Sequence, residues 1–249
     1  MEVRGGKTHA PRPGSLSGDP GAPAPRDKAA MVCKPGELKS IFPTVVLARR
    51  LDTIMPMNRR LHEIVLEREL VDPGIGVSNV GGWHSQGDLM NWDYPEIRAL
   101  MRECFEAGRD MTQASLPPGV EGEIRLRFNG GCWANLLRDG GYNTVHNHAA
   151  AVWSGCYYVS LGDPDPQPNY NGWIEFQDPR PANIHSHKEK VRPEAGLLLL
   201  FPGWLNHYVN PFRGRGERIS IAFNFDVEVV PHKMQASDLQ AFRQGTPVG

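Results

Sequence analysis

Two histidines separated by a single residue, His146 and His148, are the first feature of this sequence that suggests chemistry. Alternate side chains of a β-strand point to the same side, so both imidazoles converge on one point if a strand begins here. A third histidine, His207, follows the apolar run at 197–201 and a short link. Two imidazoles, a third protein ligand and open coordination positions are typical of a catalytic transition-metal centre. The spacing therefore predicts a metal site formed by His146, His148 and His207.

A second pair with the same spacing, His185 and His187, shows that the pattern by itself is weak. This pair precedes the polar run Lys188-Glu189-Lys190, which is typical of a loop. His146 and His148 instead lie between apolar stretches that have the character of strands. We therefore favour His146 and His148 as ligands and leave the second pair outside the site.

Arg218 and Ser220 lie on one face of a predicted strand, and Arg218 follows His207 by eleven positions. A guanidinium group binds a carboxylate through two parallel hydrogen bonds, and a hydroxyl two residues further on can reach the same carboxylate. The interior of a barrel does not normally accept an arginine without such an anion. The alternative is an outward Arg218 in an ion pair at the rim, for example with Glu217.

Two helices are predicted before these residues. The first lies between Met57 and Leu70, where apolar residues recur with helical spacing. The second begins at Pro95, because proline is well tolerated in a first helical turn, and ends at the sequence Leu116-Pro117-Pro118-Gly119.

A period of two replaces the helical period after the second helix. The predicted strands are Glu123–Phe128, Cys132–Leu137, Val152–Leu161, Trp173–Phe176, Leu197–Phe201 and Arg218–Val227. Turns are predicted at Asp139-Gly140-Gly141, at Gly162–Pro166 and at Arg213–Gly216. Two helices followed by many short strands predict an α+β chain whose catalytic part is a jelly roll with helices packed on one sheet.

Composition limits the domain organisation. Residues 1–40 are rich in Gly, Pro, Ser and charge, so we expect a disordered N-terminal arm, and a native start at Met31 stays open. The globular domain is predicted for 41–232, followed by a C-terminal tail at 233–249. Four widely spaced cysteines without a CxxC pair are typical of a reduced, cytoplasmic protein.

The charge balance gives no reason to expect nucleic acid or a membrane as partner. The formal net charge is -1 and the pI is about 6.8. The longest apolar run, at 197–201, is far too short to span a bilayer. The oligomeric state stays open, a homodimer included.

The order of motifs from Phe42 to Phe225 resembles the bacterial 2-oxoglutarate- and iron(II)-dependent oxygenases, which have the double-stranded β-helix fold. In the wider superfamily, a first and a distal histidine bind iron, and an arginine shortly after the distal histidine holds the far carboxylate of 2-oxoglutarate. His146, His207 and Arg218 match this pattern in order and spacing. The stretches that carry the resemblance are Gly81–Ser85, Trp133-Ala134-Asn135, His146-Asn147-His148, Ser154–Val159, Phe176–Arg180, Phe201–His207 and Glu217–Asn224.

The resemblance implies an activity and its cofactors. Fe(II) and the co-substrate 2-oxoglutarate react with molecular oxygen and hydroxylate a small-molecule or peptide substrate, releasing succinate and carbon dioxide. Arg218 and Ser220 are expected to hold the far carboxylate, with Asn135 and Tyr158 as further co-substrate contacts. Trp83, His84 and Trp153 are candidate substrate contacts.

One departure from the superfamily leaves alternatives. The position two residues after the first histidine usually carries Asp or Glu, and here it is His148. Either three imidazoles bind the iron and 2-oxoglutarate supplies the negative charge, or a carboxylate such as Glu175 or Asp178 is the third ligand. Three-histidine iron sites also resemble those of cupin-type thiol dioxygenases, which need no 2-oxoglutarate. A metal-free jelly-roll binding module is the non-catalytic alternative.

Overall fold

A computed structural model describes residues 44–116, 122–180 and 187–231. The expected N-terminal arm (1–40), the expected tail (233–249) and His185 lie outside the described residues. The proposed domain boundaries therefore stay predictions.

Both predicted helices are present. Helix α1 (Asn58–Glu69) buries Leu61, Ile64 and Val65, and helix α2 (Pro95–Ser115) begins at the proline that the sequence marks as a helix start. Each helix presents an apolar stripe to the sheet, which is the main reason that it is stable. No helix of the described residues is long and apolar enough to cross a membrane.

The strands form a curled antiparallel sheet, the jelly roll that the sequence predicts. They are β1 (Leu47–Arg50), β2 (Asn79–His84), β3 (Gly122–His146), β4 (Trp153–Pro164), β5 (Ile174–Gln177), β6 (Lys188–Val191), β7 (Leu197–Pro202), β8 (His207–Val209) and β9 (Gly214–Pro231). Their order is β1-β7-β4-β9-β3-β8-β5-β6, and β2 also pairs with β3. Because β3 pairs with β9 along its first part and with β8 at its end, this one strand joins the two halves of the roll.

The predicted turn at Asp139-Gly140-Gly141 is wrong, because β3 continues through it. The β2–β3 register moves from Val80 opposite Tyr142 to Gly82 opposite Leu137, so residues 138–141 form a bulge. Gly140 has φ +85° there, a conformation that glycine adopts without strain. A bulge bends its strand and increases the local twist. The bend redirects the end of β3 toward β8.

Strand β9 separates the hydrophobic core from the cavity of the roll. Ile219, Ile221 and Phe223 point into the core, where they pack together with both helices. The alternate residues Arg218 and Ser220 point the other way and line the cavity. The period of two therefore places apolar groups on the helix side and polar groups inside the roll.

Candidate active site

The histidine pair does not lie where the sequence suggested. His146 is the last residue of β3, and His148 lies beyond it in a non-strand segment. The expectation that both begin a strand is therefore wrong. The two rings still lie close to each other, with centroids 5.1 Å apart.

His207 completes the cluster from the opposite strand. It is the first residue of β8 and lies directly opposite His146 in the ladder. The ring centroid of His207 is 4.3 Å from that of His146 and 5.4 Å from that of His148. One ligand atom from each of the three rings lies within 4.8 Å of the other two, which is close enough for all three to bind one metal ion.

Backbone carbonyls orient two of the three imidazoles. The Nδ1 atom of His146 lies 2.7 Å from the carbonyl oxygen of Thr144, and Nδ1 of His207 lies 2.9 Å from that of Leu205. Only a protonated Nδ1 can donate to a carbonyl, so Nε2 is left with its lone pair. This hydrogen bond from Nδ1 to a carbonyl is typical of metal-binding histidines, since it fixes both tautomer and ring orientation.

The imidazoles are held in the neutral form that a metal requires. Burial lowers the pKa of His207 to about 3, and the nearby His146 acts in the same direction. Burial also lowers the pKa of His148 to about 4 and depresses the pKa of His146. Near neutral pH, a metal ion can therefore bind without displacing protons from these rings.

The turn that carries His148 is fastened to the segment before His207. The backbone N–H of His148 donates to the carbonyl of Gly203 at 2.7 Å, and the amide of Asn147 donates to the side-chain oxygen of Asn206 at 2.8 Å. A Cβ on Gly203 would overlap the carbonyl oxygen of Ala151 and lie 2.6 Å from that of His148. Only glycine fits here without moving the histidine.

The two carboxylates considered as alternative ligands have other partners. Glu175 is buried but forms ion pairs with Lys188 at 2.7 Å and with Lys190 at 3.6 Å. Asp178 pairs with Arg180 at 2.5 Å. Neither lines the cavity that contains the histidines. The third member of the cluster is therefore the His148 imidazole and not a carboxylate.

Arg218 is buried, with only 2% of its surface exposed. Its Nε donates to the carbonyl of Gly172 at 3.0 Å, and its guanidinium carbon lies 5.2 Å from the ring centre of Tyr158. No carboxylate of the described residues forms an ion pair with it. The alternative of a rim ion pair with Glu217 is wrong, because Glu217 instead approaches His62 and Arg138. A buried, unpaired guanidinium is costly unless an anion binds it.

A row of polar side chains lies beside Arg218. Ser220 is opposite Asn135 in the β3–β9 ladder and opposite Tyr158 in the β4–β9 ladder. The hydroxyl of Tyr158 and the Oδ1 atom of Asn135 are buried without a hydrogen-bond partner among the described residues. Buried polar atoms are nearly always paired, so these atoms fit a polar ligand between Arg218 and the histidines.

One cavity of about 260 Å³ joins the histidine cluster to Arg218. Its lining includes Asn135, Tyr158 and Ser220 as well as His84. The His84 ring stacks on that of Trp133 at 5.4 Å and 13°, and Trp133 lies 5.6 Å from His148. The volume of this cavity suits a small dicarboxylate beside a metal ion.

Two candidate substrate contacts lie elsewhere. Trp153 is in the hydrophobic core, where its indole donates to Thr112 at 2.8 Å. Trp83 is also a core residue, and its indole donates to the carbonyl of Asp72 at 2.8 Å. Neither lines the cavity, so both expectations are corrected, and His84 alone of the three remains at the site.

Two residues of this site are not among the residues predicted from the sequence. Trp133 lines the cavity between the His84 and His148 rings, and Asn224 contributes a buried, unpaired amide oxygen to its wall. Both lie in stretches that carry the resemblance. Their alternation with the core residues of β3 and β9 is the signal that could have identified them.

Comparisons with known proteins agree with this site. Residues 131–224 match the family described as "Putative 2OG-Fe(II) oxygenase". Among curated proteins, no sequence matches the chain. The range that matches the family, residues 131–224, contains all three histidines of the cluster and Arg218.

Solved structures share the fold at low sequence identity. A prolyl-4-hydroxylase from Pseudomonas putida is 18% identical, with 73% of this chain and 91% of that chain covered and a TM-score of 0.50. The α-ketoglutarate-dependent epimerase SnoN of nogalamycin biosynthesis is 14% identical, with coverages of 82% and 90% and a TM-score of 0.53. The carbocyclase SnoK of the same biosynthesis is 15% identical, with coverages of 82% and 88% and a TM-score of 0.51. Residues 131–224 thus match the family of putative 2OG-Fe(II) oxygenases, and the chain shares the double-stranded β-helix fold of these solved structures.

Proposed function

We propose that this enzyme hydroxylates its substrate at an iron centre held by His146, His148 and His207, with 2-oxoglutarate anchored by Arg218. The observation that carries this assignment is a single cavity with three neutral imidazoles at one place and, at another, a buried guanidinium that has no carboxylate partner among the described residues. An arginine in that position is stabilised by a carboxylate, and 2-oxoglutarate has one at each end.

The residues divide into two tasks. The three histidines bind the metal through Nε2 in at least His146 and His207, whose Nδ1 atoms face backbone carbonyls. Arg218, Tyr158 and Ser220 bind the far carboxylate, and Asn135 contacts the co-substrate from β3. Iron with 2-oxoglutarate and oxygen supplies the oxidant for the C–H bond, and the protein orients the reactants and excludes water.

The third imidazole changes the charge of the site. Three neutral imidazoles leave the charge of Fe(II) without compensation from the protein, in contrast to a site with two histidines and one carboxylate. The 2-oxoglutarate dianion supplies the missing charge. We therefore expect a strong dependence of iron affinity on 2-oxoglutarate.

The substrate side of the cavity is formed largely by residues 75–87, which precede the matched family segment. Ile75 and Val77 supply apolar surface, and His84 supplies a ring nitrogen. Arg218 is the only Lys, Arg, Asp or Glu in the cavity lining of the described residues. We expect the reacting part of the small-molecule or peptide substrate to be uncharged.

The competing activity, oxidation of a thiol at a three-histidine centre without 2-oxoglutarate, leaves the Arg218 guanidinium without an anionic partner. It also leaves the Tyr158 hydroxyl without a hydrogen-bond partner among the described residues.

Three cysteines of the described residues are free, which suits the proposed cytoplasmic location.

The test is anaerobic addition of Fe(II) and then 2-oxoglutarate to metal-free protein. A visible charge-transfer band is expected only when both are present, and it should disappear in His207→Ala. Iron binding without a band would favour the thiol-type activity, and absence of iron binding would contradict the catalytic proposal.

A further inference from the structure

The side chain of Arg218 is held from behind by a single backbone group. Its Nε donates to the carbonyl of Gly172 at 3.0 Å, which leaves both terminal nitrogens of the guanidinium for other partners. Gly172 does not line the main cavity. Its neighbours Asn171 and Trp173 line a second cavity of about 260 Å³, and Arg218 borders both cavities. The second cavity contains none of the three histidines, so Gly172 contacts Arg218 from a segment outside the histidine cluster.

The segment around Gly172 is fixed to the residues just before β9. The backbone N–H of Gly172 donates to the carbonyl of Pro211 at 3.2 Å. The side chain of Asn171 donates to the carbonyl of Arg213 at 2.6 Å and accepts from its N–H at 2.7 Å. These bonds hold the segment on both sides of the Gly172 carbonyl, so this acceptor has a fixed position and restricts where the guanidinium can lie.

Glycine is required at position 172 for two separate reasons. Its φ of +68° lies in the left-handed region, which other residues adopt only with strain. A Cβ at this position would lie 3.2 Å from both Cδ and Nε of Arg218. That contact would push the guanidinium away from Gly172 and toward the histidine cluster.

We propose that Gly172 is a positioning residue that sets the length of the 2-oxoacid accepted by this enzyme. The inference rests on the proposed function, in which the histidine-bound metal and Arg218 hold opposite ends of one dicarboxylate. The distance between those two anchors then selects the number of methylene groups. The carbonyl of Gly172 fixes the far anchor, and the missing side chain allows it to lie deep enough for 2-oxoglutarate.

The experiment measures dissociation constants of Fe(II)-loaded protein, without oxygen, for 2-oxoglutarate and for oxaloacetate, which is one methylene shorter. In Gly172→Ala, the constant for 2-oxoglutarate should rise about tenfold or more, as expected for a misplaced contact. The preference for 2-oxoglutarate over oxaloacetate should fall, because the site is shorter. A general loss of structure would weaken both acids equally.

Gly216→Ala is the matched control. Gly216 has a similar φ of +73°, but a Cβ there would approach nothing closer than Cα of Gly162 at 3.7 Å. The Gly216→Ala substitution imposes comparable backbone strain without touching Arg218. The affinity for 2-oxoglutarate and the preference over oxaloacetate should therefore stay close to wild type.

If Gly172→Ala does not fold, Asn171→Ala replaces it as the test variant. Asn171→Ala loosens the Gly172 carbonyl without adding a Cβ at position 172, so it should weaken 2-oxoglutarate binding.

The outcomes separate this inference from the proposed function. Wild-type protein that binds iron but not 2-oxoglutarate would overturn both. Wild-type protein that binds both, together with a Gly172→Ala variant of unchanged affinity and preference, would overturn the role of Gly172 alone. If Gly172→Ala is unfolded, unchanged 2-oxoglutarate affinity in Asn171→Ala would overturn the role of Gly172 alone.

Discussion

His146 and His207 are direct cross-strand neighbours in the β3–β8 ladder, and their ring centroids lie 4.3 Å apart. Two distant parts of the sequence therefore meet in one ladder pair, and the proposed metal site forms only when β8 closes against β3. A metal that binds this pair binds the folded state alone, so it should stabilise the protein.

Removal of His207 should abolish tight iron binding. Loss of a hydrogen-bond partner of a metal ligand typically costs about 10- to 100-fold in metal affinity. Because His207→Ala removes a ligand itself, we expect it to cost about 100-fold or more. Anaerobic titration with Fe(II) measures this. His187→Ala is the control, because His187 is exposed and pairs with Glu189 away from the cluster. Similar affinities in the two variants would contradict the site.

Replacement of His148 by aspartate should preserve the iron site. His148→Asp recreates the arrangement of two histidines and one carboxylate, whereas His148→Ala removes a ligand. We expect His148→Asp to retain the band formed with 2-oxoglutarate and His148→Ala to bind iron much more weakly. Unimpaired iron binding in His148→Ala would place this residue outside the metal shell.

The hydroxyl of Tyr158 should contribute to 2-oxoglutarate affinity. Tyr158→Phe removes one hydrogen bond, so the dissociation constant should rise about fivefold, or roughly 1 kcal/mol. The control is Tyr157→Phe, on the same strand but the opposite face. The Tyr157 hydroxyl donates to Asn58 at 2.7 Å, so its loss should reduce stability without changing 2-oxoglutarate affinity. Equal effects on affinity would argue against contact between Tyr158 and the co-substrate.

A side chain at position 203 should disturb the metal site through the backbone. In Gly203→Ala, the added Cβ would overlap the Ala151 carbonyl and crowd that of His148. We expect a loss of about 1–3 kcal/mol in the free energy of unfolding, together with weaker iron binding. Gly76→Ala is the control, because a Cβ there meets nothing within 4 Å. Urea unfolding and iron titration check both effects.

The stability of the metal-free protein should fall in mild acid because of His207. Its folded-state pKa is about 3, against 6.5 for the ordinary group, so below pH 6.5 the unfolded state binds more protons. The free energy of unfolding therefore decreases as the pH falls from 6.5 toward 3. Between about pH 6 and pH 5, wild type should lose about 1 kcal/mol more than His207→Gln. Equal losses in urea unfolding would contradict the lowered pKa.

Residue types and periodicity predicted much of this protein. The helical spacing after Pro95, the alternation along β9 and the order of His146, His207 and Arg218 are local properties of the sequence. They identify the helices, most strands and the candidate ligands. An imidazole or a guanidinium has the same chemistry wherever the chain places it.

Tertiary structure alone decided which of these side chains meet. The bulge at 138–141, read from the sequence as a turn, bends β3 toward β8, and a turn after β3 carries His148 to the cluster. Trp153 and Trp83 resemble substrate contacts in the sequence but pack in the core. The sequence predicts an anion partner for Arg218 only if the side chain points inward. Its burial against Gly172 depends on strand pairing and on loops distant in the sequence. Such contacts arise from long-range packing, which local spacing does not encode.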